Sequence, residues 1–345
     1  MPCSSRRHCP MFRSLSHATV VTAAISVAAL APGAAAAQEL PRLDVTVFAP
    51  PSQSIWLPVL IQQLGLDTKH GFKLEVTAKP SRVAYADFAT GADPVCYCSS
   101  ISAVARFVEQ GSQISLLWNI FDYDYYIVTT NSEIKTAKDL AGRTLLADTV
   151  TGSWASAAWL LSQSGLDLSS VQIRSTSGRG AAALAELTTG RVDALAANPT
   201  ETATLLSEGG PDLKAFSIFD KALWARTSDA PAMPSIAFGV WKTWYDEPEN
   251  AALARRFYAA NVEAADYVRQ NPAKAAALVA ADAQVPEAAL NDVFTRFPHL
   301  INIRPIADYR SAIAELTQKL LPEAEQLERP LTDEELKLYV SDFRP

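Results

Sequence analysis

Segments with the alternating apolar pattern of strands take turns with helical segments along most of the chain, and this order restricts the fold more than any other feature. Leu43, Val45 and Val47 alternate with polar residues, which is typical of a strand with one buried face. A helical pattern follows over 54–64, and the alternation continues to an apolar strand predicted at 235–241. Strands that alternate with helices predict an α/β fold with parallel sheets rather than a barrel of hairpins.

Glycines and prolines set the predicted bounds of these elements. Gly91, Gly111 and Gly190 each follow a helical segment and are typical of a helix C-terminus. After the strand at 235–241 we expect helices only. The predicted strands are 43–47, 71–76, 95–98, 114–118, 143–147, 171–174, 192–196, 216–219 and 235–241, and the predicted helices are 54–64, 82–90, 101–110, 151–161, 179–189, 200–207, 248–270, 272–281, 286–296, 307–320 and 332–340.

The composition is that of a soluble globular protein. The 345 residues are 49% hydrophobic and 19% charged, which excludes a disordered chain and is enough for two domains with their own cores. The first 37 residues hold three arginines and no acid, so the formal net charge of −7 becomes −10 without them. An acidic protein without a basic run is a poor binder of nucleic acid or of anionic membranes.

The first 37 residues have the pattern of an export signal that is removed. Arg6, Arg7 and Arg13 precede an apolar stretch over 18–30, and four alanines at 34–37 provide a cleavage site. An uncleaved signal anchor is the alternative, but the apolar stretch is short and interrupted. We therefore predict that 1–37 is a signal peptide and that the remaining 308 residues form a soluble protein in the periplasm.

Removal of this signal would leave Cys96 and Cys98 as the cysteines of the protein, and His70 and His299 as its histidines. Cys96 and Cys98 point to the same face of a predicted strand, where a disulfide between them would be strained. A metal site needs more ligands, and none lie nearby in the sequence. We interpret the pair as two small buried strand residues, with a redox-labile pair as the alternative.

Motifs of catalysis are missing from the sequence. It contains no Gly-x-Ser-x-Gly elbow, no Walker loop, no Gly-x-Gly-x-x-Gly after a strand and no His-Glu-x-x-His. Two histidines without neighbouring partners make acid–base catalysis hard to assemble. We predict a protein that is not an enzyme and that uses no cofactor and no metal ion.

Small polar residues collect where predicted strands end and helices begin. In α/β proteins ligands bind at the carboxyl ends of parallel strands, where helix N-termini offer free N–H groups and a partial positive charge. Several such turns together would hold a small anion, although each residue alone is also an ordinary N-cap. The residues of these turns that we predict to bind ligand are Ser52, Gln53, Ser99, Ser100, Thr151, Gly152, Ser153 and Asn198.

Aromatic residues are concentrated in the middle of the chain and at two of these helix starts. Five of them fall within the nine positions 118–126, and such a set either fills the core or walls a cleft. Tyr123, Trp56 and Trp154 complete the predicted ligand site, with core packing as the alternative for both tryptophans. Arg82 follows a predicted strand end, and its role stays open between ligand binding and exposure to solvent.

Taken in order, these segments resemble the substrate-binding proteins of ABC importers of the nitrate, sulfonate and taurine type, the NMT1/THI5-like family. The resemblance extends over nearly all of 42–300 and rests on the order of individually weak motifs. The matching segments are Trp56-Leu57-Pro58, Gly71-Phe72-Lys73-Leu74-Glu75-Val76, Gly91-Ala92-Asp93, Lys138-Asp139-Leu140-Ala141-Gly142-Arg143, Gly190-Arg191-Val192-Asp193-Ala194 with Pro199, and Asn271-Pro272-Ala273-Lys274-Ala275-Ala276.

The resemblance implies a type II periplasmic-binding-protein fold, in which two αβ lobes joined by a two-crossing hinge hold ligand in the cleft between them. Lobe I would comprise 42–129 and 235–345, and lobe II 130–234. The implied function is to bind a small organic anion, a sulfonate or carboxylate with or without an aromatic part, for an ABC importer. The implied partners are that ligand and the transporter permease, and we expect a monomer that binds no nucleic acid.

Two other binding functions suit the same scaffold, and an enzyme on it is a third alternative that the missing catalytic motifs disfavour. A binder of a heterocycle, such as a pyrimidine thiamine precursor or a flavin, would use aromatic stacking in place of anion capture. A receptor of the same fold would pass its ligand to a sensor rather than to a transporter.

Overall fold

The computed structural model describes residues 39–149, 151–176, 180–210, 212–230 and 232–345. The predicted signal peptide, 1–37, lies outside the described residues. The segment Leu40–Pro345 forms one compact unit. Within the described ranges, no helix is both long and apolar enough to cross a membrane.

Strands and helices follow each other along the described chain. The strands are β1 (Arg42–Phe48), β2 (Lys73–Lys79), β3 (Val95–Ser100), β4 (Ile114–Asp122), β5 (Tyr126–Thr129), β6 (Thr144–Ala147), β7 (Gln172–Ser175), β8 (Ala194–Ala197), β9 (Lys214–Ser217), β10 (Pro234–Trp241) and β11 (Ile301–Pro305). The helices are α1 (Trp56–Gln63), α2 (Leu66–Lys69), α3 (Ser81–Thr90), α4 (Ile101–Glu109), α5 (Gly152–Gln163), α6 (Ala181–Thr188), α7 (Pro199–Glu208), α8 (Lys221–Thr227), α9 (Lys242–Tyr245), α10 (Pro248–Gln270), α11 (Pro272–Ala283), α12 (Glu287–Arg296), α13 (Arg310–Glu315), α14 (Leu321–Glu323) and α15 (Asp333–Tyr339).

The strands form two sheets, so the predicted α/β class is confirmed. The strand order is β2-β1-β3-β10-β4-β11 in the first sheet and β7-β6-β8-β5-β9 in the second. The expectation of purely parallel sheets is wrong, because β10 and β11 run antiparallel to their neighbours in the first sheet and β5 does so in the second. The chain enters β5 directly from β4 of the other sheet, and it enters β10 from β9 of the other sheet by way of α8. Parallel neighbours, in contrast, need a crossover that returns to the same sheet.

The chain passes between the sheets twice, and the two passages lie side by side. β4 ends at Asp122 in the first sheet and β5 begins at Tyr126 in the second, so the first passage comes before Thr129, near which it was expected. The second passage leads into β10 at Pro234, and Pro234 pairs with Asp122. Just beyond that pair, the Tyr123 N–H donates to the Met233 carbonyl at 2.8 Å, which joins the two passages to each other.

In the C-terminal part of the chain, helix α10 agrees with the sequence prediction and strand β11 does not. Helix α10 has the predicted bounds, because Pro248 occupies its first turn and Asn271 precedes another proline. The prediction of helices only after β10 is wrong, because β11 pairs with β4. Its buried Ile301 and Ile303 alternate with more exposed residues, but the segment is too short to stand out among helical neighbours.

Strand β3 contains a disulfide between Cys96 and Cys98, whose Cα atoms are 5.2 Å apart. Both residues are buried, as interpreted, but the interpretation of an unbonded pair is wrong. A separation of this size lies within the range that disulfides span. The neighbouring strand β10 is irregular here, with a register shift between Ala237 and Gly239, so the local backbone departs from an ideal strand pair. The disulfide lies two residues before Ser100, the last residue of β3.

A buried carboxylate lies at the first passage. Asp122 is 6% exposed and accepts hydrogen bonds from Asn302 Nδ2 at 2.7 Å, Asn119 Nδ2 at 3.0 Å and the Tyr309 hydroxyl at 3.2 Å. Burial raises the pKa of Asp122 to about 6, while these three donors and the charge of Arg304 oppose the rise. The carboxylate therefore ties the end of β4 to β11 and to the turn that follows β11.

Candidate functional site

A cavity of about 490 Å³ opens where strand ends of both sheets meet. From the side of the first sheet it is lined by Phe48, Ser52, Gln53, Ser81, Arg82, Tyr85, Ala86, Ala89, Ser100, Ala103, Arg106, Phe107 and Ile236. From the passage and the second sheet it is lined by Tyr125, Thr151, Gly152, Ser153, Asn198 and Glu201. The carboxyl ends of β1, β3 and β8 all contribute, as expected for a ligand site in an α/β protein.

Most of the predicted ligand residues lie in this one cavity, although they are spread over much of the chain. Trp56, Ser99, Tyr123 and Trp154 are the predicted residues that do not line it. The predicted residues that do line it are Ser52, Gln53, Ser100, Thr151, Gly152, Ser153 and Asn198.

Trp56 and Ser99 lie in the core of the first sheet rather than in the cavity. Trp56 is 1% exposed and packs edge-on against Phe121 and Phe294, with ring centroids 5.7 and 5.2 Å away. Ser99 is fully buried, and its hydroxyl donates to the Cys96 carbonyl at 3.3 Å. Because neighbouring strand residues point to opposite faces, only Ser100 of the serine pair reaches the cavity.

Tyr123 and Trp154 lie behind the cavity wall. The Tyr123 hydroxyl donates to the Ser153 carbonyl at 2.9 Å, and its ring stacks on Tyr125 with centroids 6.1 Å apart. Tyr125 is therefore the aromatic residue of this segment that lines the cavity, with Tyr123 supporting it. Trp154, in the first turn of α5, is 5% exposed and packs in the core. No sequence signal separates Tyr125 from Tyr123, because both belong to one dense aromatic run.

The polar residues of the turns also act as helix caps. The Thr151 hydroxyl accepts from Trp154 N at 3.3 Å and donates to the Asp148 carbonyl at 2.9 Å. The Asn198 side chain caps α7 and donates to Glu201 Oε2 at 3.0 Å. Ser100 precedes α4 without a side-chain cap. The N-terminus of α4 therefore meets the cavity with its first N–H groups not capped by that serine.

The N-termini of α4 and α5 approach each other closely at Gly152. A Cβ atom at Gly152 would lie 2.0 Å from Ser100 Oγ, 3.0 Å from Ser100 Cβ and 2.9 Å from the Ala103 nitrogen. In the first turn of α4 and one turn past Gly152 in α5, the hydroxyls of Ser102 and Ser156 are 3.1 Å apart. This contact joins the parts of the chain that belong to the two sheets at the base of the cavity, and only glycine fits there.

Replacing Gly152 with alanine should destabilise the protein by about 1–3 kcal/mol, because the added methyl group overlaps backbone and side-chain atoms. Urea unfolding measures the change, and Ser153→Ala in the same turn is the control, with little expected effect. Adding Ser100→Ala to Gly152→Ala should restore only part of the loss, since the contact with the Ala103 nitrogen remains. A Gly152→Ala variant as stable as the parent would show that the close approach is not required.

Aromatic rings form one wall of the cavity. Tyr85 makes edge contacts with Phe48 and Phe107, with ring centroids 5.0 and 5.6 Å away. Burial raises the pKa of Tyr85 above its ordinary value, while hydrogen bonding with Ser100 and the charge of Arg106 oppose the rise. The Tyr85 hydroxyl is therefore neutral at physiological pH, and the wall it forms is apolar apart from this one polar group.

Two arginines contribute positive charge to the same cavity. Arg82 is exposed at the start of α3, and Arg106 is half-buried on α4. Burial lowers the pKa of Arg106, partly offset by the charge of Glu109, but an arginine stays protonated at neutral pH. Among the described residues, neither arginine takes part in an ion pair. The acidic residue of the cavity lining is Glu201, which has other partners.

Arg106 and its neighbours were missed from the sequence, although a signal was there. Ser100, Ala103 and Phe107 recur at helical spacing, so a helix that starts at a predicted ligand serine has to present this face to the same site. No group of three or more metal-ligating side chains is found in the part of the chain that the structure describes.

Two sheets of this topology with a cavity between strand ends define the fold of the periplasmic binding proteins. The family model described as NMT1/THI5 like matches residues 60–275. The chain belongs to this family, so the resemblance found in the sequence is confirmed. A search of curated protein sequences finds no match.

Solved structures of similar fold include binding proteins and an enzyme. The periplasmic aliphatic sulphonate binding protein SsuA from Escherichia coli has a TM-score of 0.66 and 18% identity, over 88% of this chain and 92% of that one. The alkanesulfonate-binding protein SsuA from Xanthomonas axonopodis pv. citri, bound to MOPS, has a TM-score of 0.58 and 17% identity, over 84% of this chain and 99% of that one. The desulfurization enzyme DszB has a TM-score of 0.59 and 18% identity, over 86% of this chain and 96% of that one. At these identities the likeness concerns the fold.

Proposed function

We propose that this protein is a periplasmic solute-binding protein that captures a small organic anion, a sulfonate or a carboxylate, with an apolar or aromatic body. Export through a signal peptide at 1–37, delivery to the permease of an ABC importer and a monomeric state belong to the same proposal. The SsuA proteins, described as binding sulfonates, support this ligand class by family likeness.

The observation that carries the proposal is the state of Arg106. It lines the cavity and is half-buried, its guanidinium donates two hydrogen bonds to the uncharged Gln326, and no carboxylate forms an ion pair with it among the described residues. Charged groups in protein interiors are normally paired, because an unpaired buried charge is costly. An anionic ligand would supply the missing partner, with Arg82 at the rim adding attraction. The net negative charge of the protein makes this local positive charge the more necessary.

The aromatic wall supports an apolar ligand body. Tyr85 and Phe107 lie within a helical turn or two of Arg82 and Arg106, so one ligand of modest size would reach both kinds of group. A ligand with an anionic end and an aryl or alkyl body suits this combination. Ser100 and Ser153, together with the N-terminus of α4, would donate further hydrogen bonds to the anionic end.

Binding between two lobes would come with closure about the paired passages. The sheet membership of β5 supports lobe I as 42–122 and 234–345, and lobe II as 126–230, which moves the first boundary from 129 to the passage after Asp122. Residues of both lobes line the cavity. A hinge motion at the passages would bring Thr151, Ser153 and Asn198 onto a ligand seated against α3 and α4.

A heterocycle binder is the second candidate, favoured by the aromatic residues Phe48, Tyr85, Phe107 and Tyr125 in the lining. In that case ring stacking would dominate, and the ligand would need no charge. An enzymatic role on the same scaffold has the precedent of DszB. Turnover of a bound ligand by the purified protein would decide for it.

A thermal-shift screen tests the proposal. The probes are ethanesulfonate, benzenesulfonate and benzoate as anions, benzenesulfonamide as the neutral counterpart, and 4-amino-2-methylpyrimidine as a heterocycle. We expect stabilisation by an anion and not by the sulfonamide, with about 2.7 kcal/mol at a hundredfold excess over Kd. Stabilisation by the pyrimidine alone would favour the second candidate. No stabilisation by any anion would contradict the proposal.

A further inference from the structure

We propose that the turn over 321–327 is a positioning element of the ligand site, in which Gln326 holds the Arg106 guanidinium in place without neutralising it. The inference deepens the proposed function and rests on it, because Arg106 is taken to face the anionic group of a ligand. The turn belongs to the C-terminal part of the chain, outside the strands and helices whose ends form the cavity.

Two hydrogen bonds connect Gln326 to Arg106 across 220 positions of sequence. Arg106 Nε donates to the Gln326 carbonyl at 2.9 Å, and Arg106 Nη2 donates to Gln326 Oε1 at 2.8 Å. A guanidinium has five N–H groups, and this contact uses the edge formed by Nε and Nη2. The edge formed by Nη1 and Nη2 still offers parallel donors, which is the arrangement that carboxylates and other oxyanions bind.

The partner of Arg106 is a neutral side chain, although acidic residues lie close by. The surface cavity behind Arg106 is lined by Glu109, Glu325 and Glu328 as well as by Gln326, yet the side chain that contacts the guanidinium is the neutral amide. Glu109 Oε1 accepts instead from the Arg329 backbone N–H at 2.6 Å. A glutamate at 326 would form an ion pair with Arg106 and compete with an anionic ligand, whereas glutamine orients the cation and leaves its charge available.

The turn has its own support, so it positions Arg106 rather than merely following it. Gln326 N donates to the Leu321 carbonyl at 2.8 Å and Glu325 N to the Pro322 carbonyl at 3.0 Å, which is the Schellman pattern of a helix end. Glu325 has the left-handed φ of 57° that this pattern requires. Leu321 and Leu327 are 1% and 5% exposed, so both ends of the turn are fixed in the core.

Three variants test the proposal, of which Gln326→Glu and Gln110→Glu are matched charge substitutions. Gln326→Glu changes the charge at the contact with almost no change of shape. Gln326→Ala removes the side-chain acceptor but keeps the backbone acceptor. Gln110→Glu is the control, because it makes the same substitution in the same surface cavity, where among the described residues the Gln110 side chain makes no hydrogen bond to the Arg106 guanidinium. The Gln110 backbone N–H donates to the Arg106 carbonyl at 3.1 Å, and the substitution leaves that bond in place. Thermal unfolding of each variant verifies that it is folded before binding is measured.

Calorimetric titration with benzenesulfonate gives the first readout. We expect Gln326→Glu to weaken binding about tenfold or more, since the ligand loses a charge-assisted partner. Gln326→Ala should weaken it severalfold, and Gln110→Glu should leave it within about twofold because solvent screens its charge. Equal losses in Gln326→Glu and Gln110→Glu would overturn the proposal, since the effect would then be one of general charge.

Labelling by phenylglyoxal, which reacts with the terminal nitrogens of arginine, gives a readout that needs no ligand. Peptide mass spectrometry follows the reaction of Arg106 with that of Arg42 as the internal reference. The rate at Arg106 should rise severalfold in Gln326→Ala and stay unchanged in Gln110→Glu. An unchanged rate in Gln326→Ala would overturn the positioning role even if anions bind. If the parent protein binds no anion while the labelling rates behave as expected, the proposed function fails and the contact itself stands.

Discussion

Replacing Arg106 with methionine should weaken the binding of benzenesulfonate about a hundredfold, which corresponds to roughly 3 kcal/mol. Methionine keeps much of the length of the side chain and removes the charge, so the loss isolates the electrostatic contribution. The loss of the two hydrogen bonds to Gln326 should cost the ligand-free protein only about 1–2 kcal/mol, because removing a half-buried cation without a carboxylate partner offsets part of that loss. Calorimetric titration measures the first effect and thermal unfolding the second.

Two further arginine variants make the Arg106 experiment specific. Arg82→Met, at an exposed position of the cavity rim, should weaken binding only severalfold, because solvent screens its charge. Arg42→Met removes another exposed charge, one that lies on β1 outside the cavity and pairs with Asp44, and it should have no effect on binding. The outcome that contradicts the proposed anion site is an Arg106→Met variant that binds benzenesulfonate as tightly as the parent protein.

The second large effect concerns stability and pH. The pKa of Asp122 is raised to about 6 in the folded protein, from an ordinary value of 3.8. The folded state therefore binds the Asp122 proton more tightly than the unfolded state does. The contribution of Asp122 to stability is greatest below about pH 4 and falls as pH rises towards 6, by on the order of 2–3 kcal/mol in total.

Asp122→Asn removes this titration and serves as the reference. The difference in free energy of unfolding between the parent and the variant, measured by urea between pH 4 and pH 7, should change in favour of the variant as pH rises. Asp139→Asn provides a control of opposite sign. Hydrogen bonds from the Lys135 and Thr136 backbone lower the pKa of Asp139, so that carboxylate stabilises the fold at high pH. A pH-independent difference for Asp122→Asn would contradict the assignment.

The sequence predicted the elements that have local signals. Helix α10 begins at a proline and ends before another, and the cavity turns at Thr151 and Asn198 combine small polar residues with a following helix. Strand β11 lacks such a signal, because five residues with two buried isoleucines resemble any short apolar segment. The order of strands in the sheets was not predicted either, since β10 takes its place between β3 and β4 through contacts that no local pattern records.

Residues of the candidate site were likewise predicted where a local signal marks them and missed where their role depends on distant contacts. Ser100 was found because it follows a strand, whereas Arg106, on the same helix, looks like any basic residue near a helix end. Helical spacing from Ser100 indicates which face of the helix meets the cavity, but the burial of Arg106 and its partner 220 positions away are not visible in a single sequence. The Trp56 side chain was predicted for the ligand and lies in the core, because the helix start alone does not say which face of a helix meets the cavity.

The position of β10 has a consequence for how the chain acquires its structure. β3 and β4 are neighbours in sequence, but β10 separates them in the sheet, and its residues lie well past the midpoint of the chain. A growing chain cannot complete the first sheet until β10 has been synthesised, so the edges of β3 and β4 that face β10 stay unpaired until then. Such long-range closure makes folding slow and leaves the nascent protein open for most of its synthesis.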